Sequence, residues 1–72
     1  MNVGIVGFGS IGTEVGKALI NGVEDFSLYG VTSRSKAKAQ ERIDKLDKNI
    51  EIYDLDNLVD NCEIIIDCAP KE

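Results

Sequence analysis

The chain opens on Met1-Asn-Val-Gly-Ile-Val-Gly-Phe-Gly-Ser-Ile-Gly12. An apolar run from Val3 to Val6 passes into Gly7-Phe8-Gly9-Ser10-Ile11-Gly12, and a helical pattern follows without a break. Few folds accept that succession. The strand must end in a tight turn, and the helix must lie back close to the strand it left. This is the strand–loop–helix that cradles a dinucleotide pyrophosphate. Gly7 supplies backbone angles that a side chain would forbid. Gly9 lets the main chain approach the pyrophosphate, because a Cβ there would take the phosphate's space. Gly12 lets the helix pack closely on the strand. The pyrophosphate then meets the free N–H groups and the positive dipole end of the helix, beside Ser10 and Ile11. Ile11 is placed to floor that site, to be the first core residue of the helix, or to do both.

Seventy-two residues allow one small domain, residues 1–72. A complete dinucleotide fold has six strands, so a chain of this length supplies about half of one plus a strand. The Ala69-Pro70-Lys71-Glu72 ending, just after a strand pattern, leads to the expectation of a longer enzyme whose catalytic domain is missing here. Histidine is absent, so no histidine acid, base or metal ligand is available. Cys62 and Cys68 lack metal-site spacing, and Cys68 ends an apolar run as a buried free thiol would. The net charge of −5 argues against nucleic acid as a partner. Six of the eight cations lie between Arg34 and Lys48, whereas residues 51–72 hold seven acids and only Lys71 as a cation. That asymmetry can attract a phosphate locally, although a solvated helix face explains most of the lysines. Met1 leads straight into a core strand and no apolar run approaches a membrane span, which favours the cytoplasm and no membrane partner.

Periodicity divides the rest. Asn2–Val6 reads as a strand and Ile11–Asn21 as a helix, with Ile11, Val15, Ala18 and Leu19 near one face and Gly22 as its stop. Phe26–Thr32 reads as the second strand, and Ser35 caps a helix over Lys36–Asp47 whose narrow stripe is Ala39, Ile43 and Leu46. Ile50–Tyr53 is a short third strand. Asp54 caps a brief helix with Leu55, Leu58, Val59 and Cys62 on one face, and Glu63–Cys68 is a fully buried fourth strand. The β-α-β-α-β-α-β order predicts an α/β fold, a partial Rossmann (doubly wound) parallel sheet in strand order 3-2-1-4. Its fourth strand would expose an open apolar edge.

The end of the second strand discriminates between nicotinamide cofactors. NAD is usually met there by Asp or Glu, which accepts hydrogen bonds from the adenosine ribose. Thr32-Ser33 stands there instead, followed by Arg34, Ser35, Lys36 and Lys38. A ribose 2′-phosphate needs donors and positive charge, and a carboxylate would repel it. Ser33, Arg34 and Ser35 therefore favour NADP over NAD, with a site in which Arg34 only flanks the adenine left open. Ala69 and Pro70 follow the fourth strand and should line the crevice near the nicotinamide. Asp67 either faces that crevice or is paired structurally. Cys68 has no visible base or cation to activate it as a nucleophile.

Three segments together resemble the N-terminal cofactor domain of the L-aspartate dehydrogenase family. They are Val3-Gly-Ile-Val-Gly-Phe-Gly-Ser-Ile-Gly12, Val31-Thr-Ser-Arg-Ser35 with Lys-Ala-Lys-Ala behind it, and Ile64-Ile-Ile-Asp-Cys-Ala-Pro70. The cofactor domains of homoserine dehydrogenase and dihydrodipicolinate reductase are similar. The resemblance spans essentially the whole chain. It implies a two-domain enzyme that moves hydride between NAD(P) and the α-carbon of an amino acid, L-aspartate being deaminated through an imine to oxaloacetate and ammonia. It carries over Gly7, Gly9, Ser10, Ile11, Gly12, Arg34, Ala69 and Pro70 as cofactor contacts. The family's catalytic histidine lies in the second domain and has no counterpart here, so these residues alone are not expected to catalyse.

Two other readings remain at this stage. One is a non-catalytic nucleotide-sensing domain, but such sensors usually keep an acid where Thr32-Ser33 stands. The other is the cofactor domain of a sugar or cyclitol oxidoreductase, which commonly places a proline after the fourth strand, as Pro70 does. A homo-oligomer is compatible with every reading.

Overall fold

The computed structural model describes residues 1–46 and 49–69. Its elements, in chain order, are β1 (Asn2–Val6), α1 (Ser10–Gly22), β2 (Ser27–Thr32), α2 (Lys36–Asp44), α3 (Leu55–Asn61) and β3 (Ile64–Asp67). The strands form a parallel sheet in the order β2-β1-β3, with β1 in the middle. Ile5 pairs with Val31 on one side and Ile66 on the other.

Pleating sends successive side chains of β1 to opposite faces, and the two faces meet different helices. Ile5 faces α1, where it lies under Gly12 and Gly16. Gly4 faces α3, where the space a side chain would need is already taken by Cys62, Ile65 and Leu58. Ala39 and Ile43 of α2 join Ile5, Phe8, Val31 and Ile50 in the principal core, so α1 and α2 cover one face and α3 the other. This is the doubly wound arrangement expected from the alternation of elements.

The four-strand order 3-2-1-4 is not formed. The segment expected as the third strand meets β2 at a single bridge, Ile52 to Val31. Val31 N donates to Glu51 O at 3.1 Å and Tyr53 N donates to Val31 O at 2.8 Å. The ladder stops there because Asp54 already caps α3, its carboxylate accepting from Asn57 N at 2.8 Å. The strand expected as fourth is therefore β3, and the sheet has three strands.

Burial departs from the apolar pattern of the sequence at four places. On α1, Val15 and Leu19 pack against the core, but Ile11 is 69% exposed and Ala18 is also exposed. Gly12 and Gly16 occupy the line facing the sheet, and Ile11 is one residue, about 100°, off it. On α3 only Leu58 is fully buried; Leu55 and Val59 are 48% and 59% exposed. A seven-residue helix reaches the sheet through a single turn, and these two flank it. The run Ile64-Ile65-Ile66 is not fully buried: β3 is an edge strand whose residues alternate between half-buried and exposed. Cys68 is likewise half-buried. The capping expectations agree with the structure, as Ser35 Oγ accepts from Lys38 N at 3.3 Å at the start of α2.

Candidate functional site

The carboxyl ends of all three strands open into one cleft of about 490 Å³. Hydrogen bonds lock its rim. Gly7 N donates to Thr32 O at 2.8 Å, joining the glycine loop to the end of β2, and Cys68 N donates to Val6 O at 2.8 Å, joining it to the end of β3. The Gly9 carbonyl accepts twice from Thr13, from its N at 2.9 Å and from its Oγ1 at 2.6 Å, which fixes the loop's second half.

The motif glycines answer to different neighbours. Gly7 has φ +86°, and a Cβ there would lie 2.7 Å from Ala69 Cα. A Cβ on Gly12 would run into the Gly7 carbonyl and Ile5. Both glycines are required by the chain's own packing. Gly9 is different: a Cβ there would meet nothing within 4 Å, and its φ of −88° suits any residue. Its missing side chain opens space that the protein leaves free.

The start of α1 adds to this. Among the described residues, α2 and α3 are capped by Ser35 and Asp54, but α1 has no side-chain cap and no acid in its first turn. Its first N–H groups, with the dipole behind them, remain available to an anion.

Of the residues singled out from the sequence, Gly7, Gly9, Ser33, Arg34, Ser35 and Ala69 line the cleft. Ser10, Ile11 and Gly12 do not: Ser10 and Ile11 are exposed at the head of α1, and Gly12 is buried beneath the loop. Ile11 therefore neither floors the cleft nor joins the core. Pro70 lies outside the described residues.

The β2 end of the cleft is rich in donors. Ser33 Oγ accepts from Ser35 N at 3.3 Å, which bends the loop around Arg34. Ser35 Oγ accepts at its cap, so its hydroxyl proton stays free for an acceptor in the cleft. Arg34 is exposed and has no carboxylate partner among the described residues. Lys38 and Arg42, four residues apart on α2, line the same end. Arg42 was not foreseen, although its spacing from Lys38 and the Ser35 cap put it on that helix face. The single carboxylate among the lining residues, Asp67, stands at the end of β3, where it accepts from Ala69 N at 3.0 Å. Asp67 thus faces the crevice and braces its own loop at once.

Neither cysteine is shifted toward its thiolate. Burial pushes the Cys68 thiol up, and the Asp67 carboxylate adds to the shift. Burial does the same to Cys62, helped by Glu63. Among the described residues no cluster of ligating side chains could hold a metal ion, and no helix is long and apolar enough to cross a membrane.

Comparison with known proteins agrees with this geometry. Residues 1–72 match the Gfo/Idh/MocA family, described as an oxidoreductase family with an NAD-binding Rossmann fold. The L-aspartate dehydrogenase of Bradyrhizobium diazoefficiens is 36% identical over 71 residues, which is 99% of this chain and 25% of that protein. The chain thus spans a quarter of the length of the curated relative it matches.

Proposed function

The chain belongs to the Gfo/Idh/MocA oxidoreductase family, NAD-binding Rossmann fold, and from that premise we propose that it holds NADP for an amino-acid dehydrogenase of the aspartate dehydrogenase type. The observation that carries the dinucleotide reading is Gly9, the one motif glycine whose missing side chain serves nothing in the chain itself. The open space above it, beside the uncapped start of α1, fits a pyrophosphate. Ser10, Ile11 and Gly12 serve that group through their backbone N–H groups, consistent with side chains that stay out of the cleft.

NADP is favoured by the β2 end of the cleft. Ser35 offers its free hydroxyl to a 2′-phosphate from a loop that Ser33 holds, the Ser33 hydroxyl donating to Ser35 O at 3.3 Å, and Arg34 offers charge and a planar face for the adenine. Lys38 and Arg42 add positive charge from α2, and no carboxylate stands at Thr32-Ser33 to oppose it. When bound, the nicotinamide would accept or donate hydride. This chain's part is to bind and orient the dinucleotide, with Ala69 bordering the nicotinamide half. The proton chemistry at the substrate belongs, on this reading, to a catalytic domain beyond the 72 residues, since these contain no histidine and no activated thiol. The identity to an L-aspartate dehydrogenase supports that substrate class.

The test is a parallel fluorescence titration with NADPH and NADH at low salt. Tighter NADPH binding, weakened in Arg34→Ala, is the expected result. Tighter NADH binding would keep the cofactor fold and overturn the NADP assignment. Absence of binding to either, in a folded sample, would sink the proposal for this chain.

A further inference from the structure

We propose that the groove between α1 and α2 is a second anion site, fitted to a small compound carrying two or more linked phosphates, and that its occupation weakens cofactor binding. The groove has a volume of about 430 Å³. Lys17 enters it from α1, Lys38 and Arg42 from α2, and Lys45 from the turn just after α2. Among the described residues Glu41 is its single lining carboxylate, so four cations face one acid in a chain whose overall charge is −5. Leu46 is the apolar residue among those lining it.

The cations have little else to do. Lys17 reaches Glu14 at 3.5 Å, an exposed contact of the kind that contributes almost nothing. No ion pair involves Lys38, Arg42 or Lys45 among the described residues. Like charges crowded in a groove repel one another, and a polyanion relieves that repulsion. Four cations against one acid leave more positive charge than a single phosphate dianion neutralises, which favours linked phosphates. The chain's overall charge of −5 repels a continuous polyanion, which favours a small molecule.

The groove and the cofactor cleft share Lys38 and Arg42. An anion in the groove draws these two side chains toward itself and neutralises them. Their field at the β2 end of the cleft then falls, and a 2′-phosphate loses affinity. Linkage makes the effect reciprocal, at about 5-fold or more for couplings of ordinary size. This second part rests on the NADP reading above; the first does not.

The probe is inorganic pyrophosphate, followed on the whole chain by backbone amide shifts at low salt. The test variant is Lys17→Ala with Lys45→Ala, because neither residue lines the cofactor cleft. Saturable shifts at Thr13, Lys17 and Lys45 are expected, with affinity at least about tenfold weaker in the double variant, as loss of two charged donors implies. The double variant should keep an unchanged amide spectrum and unchanged NADPH affinity. Pyrophosphate also competes at the open space above Gly9, so it should raise the apparent NADPH Kd of both proteins, and more for the native chain than for the double variant. Shifts confined to Gly7–Gly9, or equal pyrophosphate affinity in both proteins, would overturn the groove site while leaving the cofactor reading intact. Pyrophosphate bound in the groove with an equal rise in NADPH Kd for both proteins would overturn the coupling alone.

Discussion

Gly7 and Ala69 meet backbone to backbone: a Cβ on Gly7 would stand 2.7 Å from Ala69 Cα and 2.8 Å from Ala69 N. The first glycine of the loop is thus held against the chain's last described residue, across the sheet from β1 to the end of β3. The cleft's floor and its β3 rim form one packed unit.

Gly7→Ala should therefore destabilise the fold. It combines a φ of +86° with a backbone clash, and strained positions of this kind cost about 1–3 kcal/mol. Chemical denaturation would show it as a fall in midpoint. An unchanged midpoint would mean that β3 and the loop are not in contact.

Gly9→Ala should behave in the opposite way. With open space around the new Cβ, stability should stay within about 0.5 kcal/mol. Dinucleotide affinity should drop by about tenfold or more, because the methyl group takes the phosphate's space. A loss of stability with affinity retained would reverse the assignment of roles between Gly7 and Gly9.

Arg34→Ala should cost NADPH about tenfold in affinity, within the range for a charge-assisted contact, and leave NADH nearly untouched. Raising the salt concentration should weaken NADPH binding to the native chain more than to the variant, since screening acts on the exposed charge that has been removed. Equal salt sensitivity of the two proteins would assign the 2′-phosphate contact to other residues.

Acid should loosen the other end of the sheet. Glu63 Oε2 accepts from Asn2 N at 2.6 Å, and this bond holds the Glu63 carboxyl below the usual carboxylate range. A depressed folded-state value stabilises the fold above the ordinary glutamate range, and that contribution is lost as pH falls through the folded value. Stability should decline on acidification, and Glu63→Gln should flatten that decline. Parallel denaturation curves between about pH 3 and pH 6 would check it; identical pH profiles would show that the bond contributes nothing.

Much of the fold was legible in the chain because it depends on local signals. Val3–Val6 and Ile64–Ile66 announce strands by their apolar runs, and Ser35 and Asp54 announce helix starts by hydrogen bonds made within three residues. Burial was less legible. Ile11 looks like a core residue in sequence and is exposed, because Gly12 and Gly16 set the rotation of α1 by letting it approach Ile5. Ile50–Tyr53 has the composition of a strand, but with Asp54 already capping α3 it pairs with β2 at one bridge.

The same division runs through the site. By itself the sequence determined the glycine loop, the loop of Ser33, Arg34 and Ser35 at the end of β2, and the absence of an acid there, since each is a run of adjacent residues. Only the tertiary structure decided which glycine serves the fold and which is left for a ligand. It alone brought Arg42 and Asp67 to the cleft from different elements, and turned Ser10 and Ile11 away from it. The physical reason is that spacing along a chain specifies local geometry, whereas a cleft is made by the ends of separate strands, and its walls exist only once the sheet has formed.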